Sequence, residues 1–257
     1  MPIWMVHVGF VILVAGLPSL IRPWRRSGLR TRRAALRVTG VGVLLLVAGL
    51  NWPVGSHTVD DPVLQLDRSM PTYHFNEVHG RTIAAPDTAV VAAFADLRPP
   101  EIKLLRTLMS LRNLPMRLLG KPEPDFGGEV PMLRQMGVVE LPSDDPAERV
   151  FGMAMSMATM VDIPIATPAE FAAFDRPSCV RVAFNIRATD RGDGRVEAVT
   201  ETRIQATDAA AARKFARYWR VIQPGSAVIR LSMLAAVAER VEGLPTALQA
   251  PAGRHLQ

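Results

Sequence analysis

The sequence predicts an α+β protein: an antiparallel sheet closed by one long C-terminal helix, with a pair of apolar helices ahead of it. Three observations predict this. The first 56 residues contain no Asp or Glu, two long apolar stretches and seven arginines. From Thr72 onward, strand-like alternation and short helical patterns are segregated along the chain and do not alternate strictly. The last patterned stretch, residues 208–242, keeps apolar residues at helical spacing far longer than an average helix requires.

The apolar pair comes first. Residues 3–21 are apolar or small except for His7, Pro18 and Ser19, and 19 residues match the ~20 needed to cross a bilayer core. A second stretch covers about 34–52, with Arg37 near one end, where a long cationic side chain can snorkel to headgroups. Trp4, Trp24 and Trp52 fall at segment ends, as interfacial aromatic anchors do. The connecting loop, residues 22–33, is short and arginine-rich, so it should stay cytoplasmic and put the remainder of the chain on the far side of the membrane. A rival reading makes residues 30–37 the charged start of a signal peptide with core 38–50. That reading needs a start codon further in, and no clear Ala-x-Ala site comes after the core. Both readings export the domain across the cytoplasmic membrane, to its extracytoplasmic side.

Removing the seven arginines of the first 56 residues leaves 23 basic residues against all 24 acidic ones. The remainder is therefore near neutral, which argues against nucleic acid as a partner, since phosphate binding needs a basic face. The chain divides as residues 1–55 (apolar hairpin), 56–71 (proline-containing linker, extended around 63–66), 72–243 (the soluble domain) and 244–257 (flexible tail).

Within the domain, alternation over 73–83 predicts a strand. Pro86-Asp87 opens a helix to about Leu97, because proline is tolerated in a first helical turn. A second helix is expected over 101–114, stopped by Pro115. After a Pro/Gly-rich loop and a short helical piece near Met132, strands are expected at 137–141, 149–157 and 170–174. Strands 179–189 and 195–207 flank Asp190-Arg191-Gly192-Asp193-Gly194, a hairpin turn with Asp-Gly at its tip. Asp208 then N-caps a helix to about Glu242, with Phe215, Trp219, Ile222, Ile229, Met233 and Val237 as its stripe and Pro224-Gly225 as a kink or break.

Two stretches, YHFNEVHGRTIAAPDTAVVAAFADL and the run from VAFNIRATDRGDG to the terminal helix, resemble the START/SRPBCC superfamily. The likeness covers about 72–242, with residues 121–167 matching in element order only. The chain is similar to bacterial members, themselves uncharacterised, in which such a domain comes after N-terminal apolar segments. The resemblance implies a helix-grip fold, in which a curved antiparallel sheet wraps a C-terminal helix around a cavity for apolar molecules. It implies no particular activity, because fold alone does not fix function.

Candidate site residues come from strand geometry. If Ile83 faces the core, strict alternation puts Tyr73, Phe75, Glu77, His79 and Arg81 on the same face. Glu77 and His79 could then bind a ligand head group or move a proton; alternatively, the strand twists them into solvent or they pair structurally with an arginine. Met153 and Met155, in a run with Met157 and Met160, offer an adaptable surface for a greasy ligand or ordinary core filling. Tyr218 at the edge of the terminal stripe could present its hydroxyl to a cavity, whereas Trp219 reads as core. Glu201 and Arg203 share the opposite sheet face and are expected to be exposed, since a buried pair is costly. The single cysteine, Cys179, reads as a small core residue. His74 faces away from Glu77 and His79, so no metal site is expected. No phosphate loop, nucleophile elbow or dinucleotide fingerprint occurs, and no cofactor is expected. The leading expectation is a membrane-anchored protein that binds a lipid or other hydrophobic small molecule. A cyclase or hydratase using Glu77 and His79, and an interaction module without a ligand, are the alternatives.

Overall fold

The computed structural model describes residues 3–21, 31–118, 128 and 130–243. The Arg-rich loop up to Arg30 and the tail from residue 244 lie outside the described residues. The chain separates into two compact units. One comprises Met1–Gly55 with Ala212–Gln223, the other Ser56–Ala211 with Pro224–Gln257.

The first unit is built on two helices, α1 (Ile3–Ile21) and α2 (Arg32–Leu50). Thr31 caps α2 by accepting a hydrogen bond from the Ala34 N–H at 3.1 Å. The two helices meet through glycines. A Cβ at Gly9 would fall 2.9 Å from the Gly42 carbonyl oxygen, and one at Gly49 would fall 2.9 Å from Val6. Small residues at such positions let apolar helices approach backbone to backbone. Gly9 and Gly16 on α1, and Gly42 and Gly49 on α2, each lie seven residues apart, so they recur on one face. The outward faces carry Phe10, Val11, Val14, Leu36, Leu44 and Val47, all exposed. Each would gain about 1.5–3 kcal/mol on leaving water for an apolar medium. The Ser19 hydroxyl donates to Ala15 O within its own helix, as an apolar surrounding requires. The C-terminal end of α2 is capped by cations of the 212–223 stretch. The Arg220 guanidinium donates to the carbonyls of Leu50 and Trp52 at 2.7 Å each, and Arg217 donates to Asn51 Oδ1 at 2.9 Å.

The second unit contains β1 (His57–Thr58), α3 (Gln65–Ser69), β2 (Thr72–Tyr73), β3 (Phe75–Ile83), α4 (Asp87–Ala95), a 3-10 turn (Pro99–Glu101) and α5 (Leu105–Leu118). It continues with α6 (Met132–Gln135), β4 (Val139–Leu141), β5 (Glu148–Ser156), β6 (Asp162–Ile163), α7 (Pro168–Ala172), β7 (Cys179–Asp190), β8 (Val196–Ala206) and α8 (Ala209–Glu242). The α+β expectation of an antiparallel sheet with a long terminal helix holds. The main sheet is ordered β3-β8-β7-β5-β4, with β6 on β5, so the first long strand lies beside the last. Phe75 pairs with Ile204 and Ile83 with Val196. The β7–β8 hairpin turns as expected: Gly192 and Gly194 take left-handed φ values of 79° and 75°, and Asp190 Oδ1 accepts from the Gly192 N–H.

Four local expectations are corrected. Residues 63–66 are not extended: Gln65 begins α3, whose first N–H groups are received by the Glu148 carboxylate of the sheet. Residues 170–174 are not a strand, because Thr167 caps the turn that becomes α7 and Pro168 occupies its first position. The second helix starts at Leu105 and runs through Pro115 to Leu118, a last-turn proline removing only one backbone bond. Helix α8 is not broken at Pro224, although the division into units falls there.

Both faces of the sheet are covered. On one, Phe151, Phe184, Ile186, Ala198 and Ile83 pack with α4 and with Met233, Leu234, Val237 and Val241 of α8. By length and composition α8, like α1 and α2, could cross a membrane. The apolar residues of its C-terminal half, from Met233 to Val241, are used in this core. On the other face Leu66, Met70, Leu141, Val150, Phe171 and Phe174 form a second core under α3 and α7. Gly152 makes room for Phe171, whose ring would lie 2.8 Å from any Cβ placed there. Cys179 is buried here, as expected.

This second face also holds buried charge. Arg203 and Glu201 share it as expected, but Arg203 is buried under α3 and not exposed. Its guanidinium donates to Asp67 Oδ1 at 2.6 Å, Glu201 Oε1 at 2.7 Å and Met70 O at 3.2 Å. Burial works against its charge, yet the hydrogen bonds and charges of Glu201 and Asp67 outweigh that and raise its pKa. The buried Glu148 carboxylate accepts from the Gln65 and Leu66 N–H groups and from Asn185 Nδ2, closing the N-terminus of α3.

Candidate functional site

Strand β3 presents its residues to the α8 side of the sheet much as strict alternation requires. Phe75, Glu77 and Ile83 are buried and His79 is half-buried. Two expected members depart. Arg81 is exposed. Tyr73 belongs to β2, separated from β3 by His74, and its ring lies under the Arg203 guanidinium at 4.7 Å, on the opposite face. The break is held by His74, whose backbone N–H donates to Ile204 O and whose Nδ1 accepts from the Ala206 N–H at 3.2 Å. Burial, followed by the neighbouring His57, lowers the His74 pKa, which suits a neutral ring acting as acceptor.

Glu77 and His79 are brought together. His79 Nε2 lies 3.0 Å from Glu77 Oε1, close but out of line for a full hydrogen bond. The other carboxylate oxygen, Oε2, accepts from the Ser226 hydroxyl of α8 at 2.7 Å. One turn further along, the Arg230 guanidinium stands over the Phe184 ring at 4.8 Å. Arg230 has no hydrogen-bond or ion-pair partner among the described residues. It is half-buried by exposed surface yet well enclosed by protein atoms. Desolvation pushes its pKa down to about 10, opposed by the charge of Glu77, so it remains a cation at neutral pH.

Around this cluster the sheet is less closed than near Ile83. Met153 and its cross-strand partner Val182 are half-buried, as is Ile229, while Met155 is buried. Thr202, opposite Glu77, and Thr200, opposite His79, are buried, the latter donating its hydroxyl to Asn185 O at 2.7 Å. Tyr218 belongs to the first unit, where its ring meets the edge of Phe215 at 5.7 Å. Trp219 is buried beside the same Phe215 ring. Among the described residues, no group of three or more His, Cys, Asp or Glu is placed to hold a metal ion.

The sequence reading missed Ser226 and Arg230. A signal for them existed: Ser226, Arg230, Met233 and Val237 recur at spacings of four, three and four, which puts both polar residues in line with the core stripe. The arrangement can hold a polar or charged head group beside an apolar surface, and it sets a carboxylate against an imidazole. No family model matches the chain, and a search of curated proteins returns no match.

Proposed function

We propose that this chain is a membrane-anchored binding protein. Helices α1 and α2 cross the cytoplasmic membrane, and a helix-grip domain of START/SRPBCC type on the extracytoplasmic side binds a lipid or other hydrophobic small molecule. The first strand beside the last, two helical segments after the first strand and a terminal helix against one sheet face all support that fold. The arginine-rich loop supports the orientation. One observation carries the binding reading. Between β3 and α8 the sheet changes from a dry core to a half-buried apolar surface, Met153, Val182 and Ile229, set around the polar groups of Glu77, His79, Ser226 and Arg230. An apolar surface with a few convergent polar groups is how small-molecule sites are generally built.

Native mass spectrometry of the full chain, released from detergent micelles, tests this. The expected result is a reproducible added mass that organic extraction identifies as an apolar compound, and that Met153→Trp displaces. A clean apo mass for folded protein would overturn it. The 3.0 Å Glu77–His79 contact favours a second reading, acid–base catalysis on the same scaffold. Two bound species that differ by one water, in a ratio altered by Glu77→Gln, would favour it.

A further inference from the structure

Helix α5 turns Leu105 into the core and half-buries Leu108 and Leu114, but a second line of leucines faces outward. Leu104, immediately before it, Leu111 and Leu118 are 58%, 65% and 78% exposed, and their spacing of seven places them on one side. The helix contains Arg106, Arg112 and Arg117 and no acidic residue. Arg106 is exposed and has no ion-pair or hydrogen-bond partner among the described residues. At the start of the helix a cleft of about 340 Å³ is lined by Pro99, Pro100, Ile102, Lys103, Arg106 and Thr107, with Leu104 also part of its wall. Leu104 holds a left-handed φ of 64°. Such a conformation in a non-glycine residue costs of order 1–3 kcal/mol, and strain of this kind clusters at functional positions. Here it holds a leucine in water, where by itself the side chain stabilises nothing.

We propose that α5 and the cleft at its start dock on a phospholipid surface bearing anionic headgroups. The chemistry is that of an interfacial helix: leucines to enter the acyl boundary, arginines beside them to meet phosphates, and no carboxylate within the helix to repel them. The occupant is a lipid surface because the chain is already tied to one, and in this the inference rests on the anchoring half of the proposed function. Only residues 51–56 separate the end of α2 from β1, and six residues span at most about 20 Å. A tether that short gives even a weak surface contact a high effective concentration.

The test uses the full chain with Leu111→Cys carrying a nitroxide, reconstituted in phosphatidylcholine nanodiscs with or without phosphatidylglycerol. Cys179 is buried and burial raises its thiol pKa, so the label goes to the new site. The expected result, with phosphatidylglycerol present, is relaxation of the label by oxygen and protection from a water-soluble nickel chelate. A label at exposed Val161 should stay accessible to the chelate. Arg106→Glu, an exposed change that leaves the fold intact by circular dichroism, should weaken the protected population at least about fivefold, from about 1 kcal/mol per arginine at an anionic surface. A label at residue 111 as chelate-accessible as one at 161, or shielded from both agents, would overturn the proposal. A chain that fails to co-elute with the discs would instead overturn the anchor.

Discussion

The two faces of the central sheet each set an arginine and a glutamate near a helix, and they treat them in opposite ways. On the α3 side, Arg203 reaches two carboxylates and a carbonyl, and Glu148 receives three N–H donors. On the α8 side, Arg230 meets an aromatic ring and the field of Glu77, and has no hydrogen-bonding partner among the described residues. Buried charge is tolerated when its hydrogen-bonding capacity is filled. The first network is complete within the domain and fastens α3 to the sheet. The second retains unused donor capacity beside a half-buried apolar surface.

This contrast can be broken by substitution. The largest effect is expected from Arg203→Leu, which strands Asp67 and Glu201 and should cost about 3–5 kcal/mol in denaturant unfolding of the full chain in micelles. Arg230→Leu should change stability by about 1 kcal/mol or less, since it removes a desolvated charge without orphaning a hydrogen-bond acceptor. Comparable losses for the two would erase the distinction between the faces. Next comes Gly152→Ala, which drives a methyl group into the Phe171 ring and should cost about 1–3 kcal/mol by overpacking, read as a lowered unfolding midpoint. The smallest effect concerns pH. His74 has a lowered pKa in the folded state, so the unfolded chain binds more protons. Its contribution is therefore fully present above the ordinary histidine value of 6.5 and is lost as pH falls through the lower folded value. His74→Gln should flatten that part of the stability–pH curve.

Much of the fold was legible because its signals are local. The apolar helices, the β3 alternation, the turn of the Asp-Gly hairpin and the Asp208 cap each lie within 19 residues or fewer. Expectations failed where a distant partner decides the conformation. Residues 63–66 look extended until Glu148, 83 residues from Gln65, receives the N–H groups that open α3. Arg203 looks exposed until Asp67, 136 residues away, covers it. In the candidate site, alternation brought out Phe75, Glu77 and His79, but His74 breaks the strand and sends Tyr73 to the other face. Arg230 was hidden in an apolar stripe that was read only for its apolar members. The glycine contacts between α1 and α2 were overlooked because hydropathy measures side chains, and at those positions the backbone makes the contact.

The pairing of β3 with β8 sets a timetable for making this protein. Residue 83 cannot find its partner, residue 196, until more than a hundred further residues have been synthesised, and Asp67 waits longer still for Arg203. At about 5–20 residues per second, the ribosome needs on the order of 10 s to supply them. Helices α1 and α2 need no such wait, since their glycine faces meet as soon as both exist. The hairpin is therefore complete well before the sheet can close. In that interval the nascent domain is an open chain held at one end, and its first strand is exposed to whatever assists or threatens it.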